Sequence, residues 1–384
     1  MSAGKRSLAG QYGLEQGSHM GSQQLNAHTQ RRGASHIMTV ATDLKGGGVE
    51  RAALRLAAGW IAAGRRVTLV AGSLDGPLAT ELPDGIETLV LGRASIRRLF
   101  ELPRIVRRLA PDLLFIPGNH YTSVAAWTRL RLGRRCPPIV GKVSNAPVRV
   151  DHGALVAAGH RAWLDLHRRF LDRAVAMTDA TARQSEELMA MPGRVAVIPN
   201  PPARAIAGAP LPPLPSGRFV LGVGRLVPQK RWDRLIAALP RLSDPTVSLL
   251  ILGEGERRAE LEAQLAALGL QNRVFLPGNA ADPLPVMARA EVMALVSDFE
   301  GVPGVLHEAL SVGTPVVATR STLAIDEILT DPALGTAVPL DDPDALVAAL
   351  ETWLRSDAIR PTAVPPPGTD SAVRYLQLFD QLVG

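Results

Sequence analysis

Two cations follow an apolar stretch near the middle of the chain. Residues 219–224 read FVLGVG, which is typical of a buried strand, and Arg225 and Lys230 come next, in GRLVPQK. Open α/β sheets bind ligands just beyond the carboxyl ends of their strands. A guanidinium fork and an ammonium there would suit a diphosphate, with Pro228 fixing a turn that puts Lys230 in the first turn of a helix. The alternative is that both are solvated surface charges.

Two glutamates mark a second stretch, SDFEGVPGVLHEALSVGTPVVAT at 297–319. Proline favours the first helical position, so we predict a helix that begins at 302 or 303 and runs to 312. The free amides at 304–306 would face the crevice, where a helix N-terminus binds phosphate. Glu308, in the second turn, is placed to accept from both ribose hydroxyls, and Glu300, ahead of the helix, from sugar hydroxyls. The alternative is that Glu300 only complements the helix dipole and Glu308 is simply exposed.

The elements that must position these residues alternate between strand and helix. Short apolar, often β-branched runs predict strands in the first half, at 36–41, 66–72, 86–91, 112–117, 138–143, 174–177 and 195–199. Amphipathic stretches between them predict helices, at 49–63, 95–110, 153–171 and 180–190. This alternation predicts a parallel sheet with helices on both faces.

The alternation restarts after a proline-rich linker at 199–217. Strands are predicted at 219–223, 247–252, 273–276, 292–296, 315–318 and 336–338, and helices at 229–240, 255–268, 303–312 and 342–355. A second linker-like run at 360–368 precedes a last helix at 370–382. We therefore predict an α/β fold of two Rossmann-like domains, 36–200 and 201–368, with the ligand in the cleft between them. The C-terminal segment 369–384 is placed to pack back on the first domain.

Four segments together resemble the retaining GT-B glycosyltransferases of family 4. They are GRLVPQK, LGEGERRAELE (252–262), VFLPG (274–278) and EGVPGVLHEAL with GTPVV, in matching order and spacing. The resemblance covers almost all of residues 36–384 and is weaker in the N-terminal half. It implies that Glu300 contacts the donor sugar, that Glu308 binds the nucleoside ribose, and that Arg225 and Lys230 neutralise the leaving diphosphate. Retention of anomeric configuration is implied in the same way, with no protein nucleophile.

The resemblance also implies donor contacts in both halves. The turn at 275–278 would hold the base through its backbone, and IPNPP (198–202) looks like the family's interdomain Pro-Asn-Pro. KGGGVERAALRLA (45–57) looks like the family's glycine loop, since glycine lets backbone approach a phosphate or sugar closely. The expected donor-binding positions are Gly47, Gly48, Asn200, Gly224, Phe275, Gly278, Gly301, Val302, Pro303, Gly304, Val305, Leu306 and Glu308.

Polar residues after two N-terminal strands form the expected acceptor side. His120, in PGNHY (117–121), is a catalytic candidate with Asn119 beside it, although a single histidine is as often a structural residue. Ser144 and Asn145, in KVSNAP (142–147), are further acceptor-side candidates.

The chain departs from the family's pattern after PVVAT. The family usually has a Gly-Gly-x-x-Glu loop near the diphosphate, whereas RSTLAIDEIL (320–329) lacks the glycines and keeps Glu327. No Asp-x-Asp pair stands at a strand end in a convincing context. We therefore expect no metal and no cofactor besides the nucleotide-sugar donor, because the cations and the helix N-terminus would carry the leaving-group charge.

The net charge of +6 divides unevenly between the halves. Residues 31–200 carry 25 Lys and Arg against 14 Asp and Glu, and residues 201–384 carry 15 against 21. Arginine-rich amphipathic segments at 95–109, 127–135 and 160–170 predict contact with an anionic membrane surface or acceptor. The alternative is that their apolar residues face the sheet and the arginines are solvated. Few aromatics (4%) and no reading motif argue against a nucleic-acid partner.

Three features bear on the compartment. A single cysteine, Cys136, excludes an intrachain disulfide, and no apolar run reaches membrane-spanning length. Residues 1–35 lack periodicity and contain GSHM, typical of an expression tag, so we expect a disordered leader. Without a signal-peptide pattern, we expect a cytoplasmic protein that binds peripherally to the inner face of the membrane.

The sequence thus predicts a metal-independent hexosyltransferase. The donor would be a nucleoside-diphosphate sugar, with UDP favoured, and the acceptor a hydroxyl of a glycan or a lipid-linked glycan. One alternative is a GT-B sugar-nucleotide epimerase or hydrolase, which needs the same diphosphate site. Another is a non-catalytic sugar-nucleotide-binding protein.

Overall fold

A computed structural model describes residues 33–144, 154–203 and 205–384. Its N-terminal unit is built on seven short, mostly buried strands: β1 (His36–Ala41), β2 (Arg66–Ala71), β3 (Glu87–Val90), β4 (Leu113–Ile116), β5 (Ile139–Lys142), β6 (Arg173–Ala176) and β7 (Val195–Val197). They form one parallel sheet in the order β3-β2-β1-β4-β5-β6-β7.

Helices cover both faces of this sheet, which is why its strands are apolar on both sides. They are α1 (Gly48–Ala62), α2 (Ile96–Leu99), α3 (Leu102–Leu109), α4 (Thr122–Leu132), α5 (Ala154–Leu166) and α6 (Asp179–Leu188). Alternate residues of β1 face opposite cores: Ile37 packs in the cluster of α1, and Met38 in that of α3 and α4.

The C-terminal unit repeats the plan with six parallel strands. They are β8 (Phe219–Val223), β9 (Ser248–Leu252), β10 (Val274–Gly278), β11 (Val292–Leu295), β12 (Val316–Thr319) and β13 (Gly335–Val338), in the order β10-β9-β8-β11-β12-β13. Its helices are α7 (Trp232–Ala238), α8 (Arg258–Ala267), α9 (Leu284–Met287), α10 (Gly304–Ser311), α11 (Ala324–Ile328) and α12 (Pro343–Leu354). The predicted fold class, two parallel-sheet Rossmann-like α/β units, is confirmed.

The last helix, α13 (Ser371–Val383), packs on the N-terminal unit. Its Tyr375 and Phe379 rings contact Trp60 of α1, with centroids 6.0 and 5.2 Å away. Its Asp380 accepts a hydrogen bond from the Ala34 amide at 2.8 Å, so residues 33–35 are held against it. The domain boundary predicted at residue 36 falls inside this ordered stretch.

Two helix predictions in the N-terminal unit are wrong in detail. The single helix predicted at 95–110 is two helices, because Pro103 lacks an N–H and is accommodated in the first turn of α3. Helix α4 was predicted only as the amphipathic segment 127–135, so its start at Thr122 was missed, since its sequence, TSVAAWTRLRL, mixes arginine with apolar residues on several sides. Within the described part of the chain, no helix is both long and apolar enough to cross a bilayer.

Candidate functional site

The turn after β8 places both predicted cations at the carboxyl end of that strand. Arg225 is exposed, and its carbonyl accepts a hydrogen bond from Trp232 Nε1 at 3.0 Å. Among the described residues, its guanidinium takes part in no ion pair. An exposed arginine without a carboxylate partner at this edge is available to an anionic ligand.

Lys230 was predicted in the first turn of the helix, but it lies before α7, at the end of a 3₁₀ turn, Pro228–Lys230. Arg231 separates that turn from the helix, because it adopts the left-handed conformation with φ of 49°. Its guanidinium pairs with Asp233 and Asp298, both at 3.1 Å, which holds this unusual backbone in place.

Lys230 meets Glu300 across the carboxyl edge of the sheet. The distance from Lys230 Nζ to Glu300 Oε1 is 2.6 Å, and the two side chains are only 15% and 10% exposed. Two hydrogen bonds fix the loops that carry them: Gln229 Nε2 donates to the Phe299 carbonyl at 2.7 Å, and the Asp298 amide donates to the Gln229 carbonyl at 2.9 Å. The structure therefore brings together two residues that are 70 positions apart in the sequence.

Helix α10 starts beside Glu300. Pro303 is the N-cap rather than the first helical residue, and the helix runs from Gly304 to Ser311. The Leu306 amide was predicted to be free, but it donates to the Pro303 carbonyl at 3.1 Å. The amides of Gly304 and Val305 have no acceptor among the described residues. Two donors and the positive end of the helix dipole thus remain for an anion.

The preceding segment, Gly301 to Pro303, is mostly buried, with only Val302 half-buried against the core of this unit. It brings the chain from Glu300 to the helix start.

The loop after β9 lies against the turn after β8. A Cβ on Gly253 would lie 1.9 Å from the Gly224 carbonyl oxygen, and φ of Gly253 is 152°, so only glycine fits. The Gly253 amide donates to the carbonyl of Gly278, the last residue of β10, at 2.8 Å. Three of the glycines in or beside the predicted site therefore meet at one edge, with half-buried Phe275 on the same strand as Gly278.

Glu308 lies in the second turn of α10, as predicted, but it is not simply exposed. Its Oε1 lies 3.7 Å from Nη1 of Arg55, a residue of α1 in the N-terminal unit. Burial raises the pKa of Glu308 above its ordinary value, while the charges of Arg55 and Arg51 oppose that rise. Burial lowers the pKa of the neighbouring His307.

The segment at 320–329, which departs from the family's pattern, contacts both the site and the N-terminal unit. The Ser321 carbonyl accepts a hydrogen bond from the Glu300 amide at 3.2 Å, whereas Ser321 Oγ is buried without a partner in the described chain. Glu327, which keeps the acidic position, accepts from the Ala180 amide of α6 at 2.7 Å. In this structure it ties the two units together.

The glycine loop opens α1. Gly46 has φ of 120°, which requires glycine, and Gly47 is the N-cap of the helix. Gly48 has no such φ, and a Cβ on it would meet no protein atom within 4 Å. Neither backbone nor packing explains a glycine at position 48.

His120 reaches a carboxylate rather than standing alone. Its Nε2 lies 3.6 Å from Glu50 Oε1, and its ring contacts that of Tyr121 at a centroid distance of 3.8 Å and a tilt of 46°. The Tyr121 hydroxyl donates to Glu50 Oε1 at 3.1 Å and accepts from the Thr42 amide at 2.9 Å. Burial opposes ionisation of Glu50, but the nearby His120 ring and hydrogen bonds from backbone and from Tyr121 hold its pKa below the ordinary value.

Asn119 and Ser144 fasten the loops after β4 and β5 to each other. The Ser144 amide donates to Asn119 Oδ1 at 2.8 Å, and the Asn119 amide donates to Ser144 Oγ at 3.2 Å. These contacts give both side chains a structural role. The third acceptor-side candidate, Asn145, lies outside the described residues.

Lys142 is a residue that sequence reasoning missed. It ends β5, is 2% exposed, and donates from Nζ to Oδ1 of the predicted donor-binding Asn200 at 2.7 Å. Burial lowers its pKa to about 8, against the raising effect of Glu50. The available signal was a lysine inside the otherwise apolar run PIVGKV. Arg55 and Glu50, both on α1, were also missed.

Two family models match the chain, one on each unit. The model described as "Glycosyltransferase Family 4" matches residues 46–201, and "Glycosyl transferases group 1" matches residues 212–363. The three glycines at 46–48 lie inside the first matched stretch, and Glu300 lies inside the second.

Two relatives of the chain are named as glycosyltransferases. The N-acetylgalactosamine-N,N'-diacetylbacillosaminyl-diphospho-undecaprenol 4-alpha-N-acetylgalactosaminyltransferase of Campylobacter jejuni is 36% identical over 143 residues, which are 37% of this chain and 39% of that protein. The chain therefore spans well under half the length of this relative. The phosphatidyl-myo-inositol mannosyltransferase of Mycobacterium leprae is 28% identical over 352 residues, 86% of this chain and 89% of that protein.

Solved structures share the fold. HepE of Anabaena, in complex with UDP and glucose, superposes with a TM-score of 0.68 at 20% identity, over 90% of this chain and 97% of that one. Together with the two family models, this places both units in one known architecture. The chain belongs to the group 1 glycosyltransferases of family 4, which have the GT-B fold.

Proposed function

We propose that the protein transfers a hexose-type sugar, with retention, from a nucleoside-diphosphate sugar to a hydroxyl of a glycan or lipid-linked acceptor. The observation that carries the proposal is the meeting of Lys230, Glu300 and the free amides of Gly304 and Val305 at one sheet edge. A cation, a carboxylate and unpaired amides are what a sugar diphosphate needs from a protein.

The diphosphate would bind between the turn after β8 and the start of α10. Arg225 offers a two-pronged donor, and Lys230 a point charge. The amides of Gly304 and Val305 add donors aligned with the helix dipole. These groups would take up the charge that develops as the diphosphate leaves, so no metal ion is required by the proposal.

The sugar and nucleoside would extend from there in opposite directions. Glu300 is proposed to accept from the sugar's hydroxyls, with Lys230 then turning toward phosphate. Glu308 would accept from the ribose. Residues 275–278, predicted as a turn, are the end of strand β10 in the structure, and their backbone groups would hold the base. We favour UDP because HepE, which shares the fold, binds UDP in its crystal structure.

The acceptor would enter from the N-terminal unit. Gly48 opens α1 toward open space, which leaves room for donor sugar or phosphate at this point. His120, with Glu50 and Tyr121 behind it, is then placed to contact donor sugar or acceptor hydroxyl. Asn119 and Ser144 would shape this side mainly by fixing the two loops. A lipid-linked acceptor is favoured because the names of both relatives described above include a lipid, diphospho-undecaprenol in one and phosphatidyl-myo-inositol in the other.

A peripheral membrane site is proposed for the surface formed by α2, α3 and α4. Its arginines are exposed: Arg93, Arg97, Arg98, Arg104, Arg107, Arg108, Arg131, Arg134 and Arg135. The apolar residues of α3 face the core, so this helix offers no apolar face to lipid. Phe100 (38% exposed) and Leu130 (74% exposed) are the large apolar side chains that reach the surface there. Attraction to the inner face would thus be chiefly electrostatic.

Vesicle flotation tests the membrane site. Binding to vesicles with anionic lipid should exceed binding to neutral ones, and replacing Arg104, Arg107 and Arg108 by glutamine should remove most of the difference. The matched control replaces Arg241, Arg289 and Arg355 of the C-terminal unit and should change little. Equal partitioning of the wild-type protein into both vesicle types would end this part of the proposal.

Transfer itself is tested with a panel of UDP-, GDP- and ADP-sugars. A bound nucleotide at 100 times its Kd adds about 2.7 kcal/mol of stability, which a thermal-shift assay detects. The selected donor is then incubated with lipid-linked acceptors, and sugar incorporation is measured. Nucleotide release without incorporation would favour a hydrolase or epimerase, and binding without release a non-catalytic protein.

A further inference from the structure

Arg55 and Glu308 form an ion pair between the two units at the proposed donor site. Arg55 lies two turns into α1, and its Nη1 is 3.7 Å from Oε1 of Glu308 on α10. The side chains are 27% and 18% exposed, so solvent screens the pair only in part. The other carboxylate oxygen, Oε2, has no hydrogen-bond partner among the described residues.

The charges around Glu308 make this contact important for its ionisation. Burial raises the pKa of the carboxyl, and the negative charge of Asp282, before α9, acts in the same direction. The opposing charges both come from α1, and they are Arg55 and Arg51. Arg51 is already paired with Glu81 at 3.0 Å. Arg55 is therefore the cation in contact with Glu308.

An ionised carboxylate accepts hydrogen bonds at both oxygens, whereas a protonated one turns part of that capacity into a donor. Two adjacent ribose hydroxyls both donate best to the ionised form. A group that keeps Glu308 ionised therefore strengthens nucleoside binding without touching the nucleoside.

We propose that Arg55 is a positioning residue for donor binding, which holds Glu308 from the opposite unit with Oε2 directed to the ribose. This inference rests on the proposed function, in which Glu308 receives the ribose. It also couples nucleotide affinity to the approach of the two units, because the pair exists only when α1 lies beside α10.

The test is the pH dependence of UDP affinity, measured by titration calorimetry between pH 5 and 8. In the wild-type protein, affinity falls as Glu308 takes up a proton at low pH. Without Arg55 the carboxyl protonates at higher pH. The loss of UDP affinity on acidification should therefore begin at a higher pH in Arg55→Met than in the wild-type protein. If this onset moves up by one pH unit, the variant binds UDP about tenfold more weakly than the wild-type protein over the pH range where affinity falls. Arg55→Lys should restore most of the wild-type profile.

Turnover separates positioning from catalysis. The donor KM of Arg55→Met should rise with its loss of affinity, while kcat at saturating donor stays within about twofold. The double variant Arg55→Met/Glu308→Gln should bind UDP no more weakly than Glu308→Gln alone, since Arg55 acts through that carboxylate.

The matched control is Arg65→Met, which removes an ion pair that we expect to contribute to stability alone. Arg65 lies just beyond the end of α1, is 22% exposed, and pairs with Asp380 at 2.7 Å. Its loss should lower stability without moving the pH profile. If Arg55→Met behaves the same way, the inference is overturned. If Glu308→Gln itself leaves UDP affinity unchanged, the ribose role of Glu308 fails, and the inference fails with it.

Discussion

Lys230 and Glu300 form a 2.6 Å ion pair that joins the turn after β8 to the loop before α10. Both side chains are largely buried, so each neutralises a charge that would otherwise be costly to bury. The pair therefore joins the two loops of the proposed donor site, and the proposed binding of a diphosphate requires Lys230 to exchange Glu300 for phosphate.

Removing one partner should affect stability and turnover differently. Lys230→Ala leaves Glu300 without its counter-ion, and we expect a loss of about 2–4 kcal/mol of stability and ~10²–10³-fold in kcat. Glu300→Gln keeps a hydrogen-bond acceptor for Lys230 but leaves its charge unneutralised, so it should lose less stability than Lys230→Ala and yet lose turnover. Urea denaturation and initial rates measure both effects. A Glu300→Gln enzyme with wild-type turnover would contradict the site assignment.

Gly48→Ala separates folding from donor binding in the glycine loop. The added methyl meets no protein atom within 4 Å, and alanine suits a helix better than glycine by roughly 0.5–1 kcal/mol. We expect stability to hold or rise while donor KM increases, because the methyl occupies space proposed for the donor.

Gly159→Ala is the control for this prediction. It lies in α5, is exposed, and likewise has no atom within 4 Å of a Cβ. Its stability should change as in Gly48→Ala while its kinetics stay at wild-type values. Unchanged kinetics in both variants would remove the glycine loop from the donor site.

Lys142 should make stability depend on alkaline pH. Burial lowers its folded-state pKa to about 8, whereas the unfolded value is ordinary. Between these values the unfolded chain binds more protons, so stability rises with pH in that window. Lys142→Met removes this contribution, and the wild-type protein should gain on the order of 1–3 kcal/mol relative to the variant from pH 7.5 to 10. Urea denaturation at several pH values measures the gap, and a constant gap would mean that Lys142 titrates normally.

Gly253→Ala should destabilise the protein far more than Gly269→Ala. Both glycines have positive φ, which costs roughly 1–2 kcal/mol for alanine. Only at Gly253 does the methyl also meet a carbonyl oxygen, at 1.9 Å from Gly224, so the loss there should exceed that at Gly269 by about 2 kcal/mol or more. Thermal or urea denaturation compares them, and equal losses would show that the two loops separate easily.

The sequence predicted the strand–helix alternation well, because buried parallel strands are continuous apolar runs and leave a strong local signal. Local sequence patterns gave wrong predictions where contacts between residues distant in the sequence determine the backbone conformation. Arg231 adopts a left-handed conformation alongside its ion pairs with Asp233 and Asp298, so the helix predicted from residue 229 starts three residues later. Nothing in GRLVPQK alone reveals that arrangement.

The site was predictable as a set of residue types but not as a network. Glu300 and Glu308 were found by their spacing, but the partners they acquire are 70 positions away for Glu300 and on the other unit for Glu308. Lys142 was overlooked because a lysine at a strand end is usually solvated, whereas here it is buried and donates to Asn200, which is 58 positions away in the sequence. Spacing identifies chemistry within one segment, whereas partners from other segments follow from the fold.

A crystal structure with a non-hydrolysable UDP-sugar analogue tests the central claim most directly. We predict density for the two phosphates within hydrogen-bond distance of Lys230 Nζ, the Arg225 guanidinium and the amides of Gly304 and Val305. The sugar should lie beside Glu300. Density for the analogue at any other place, or Lys230 still bonded to Glu300 with the phosphates out of reach, would contradict the account.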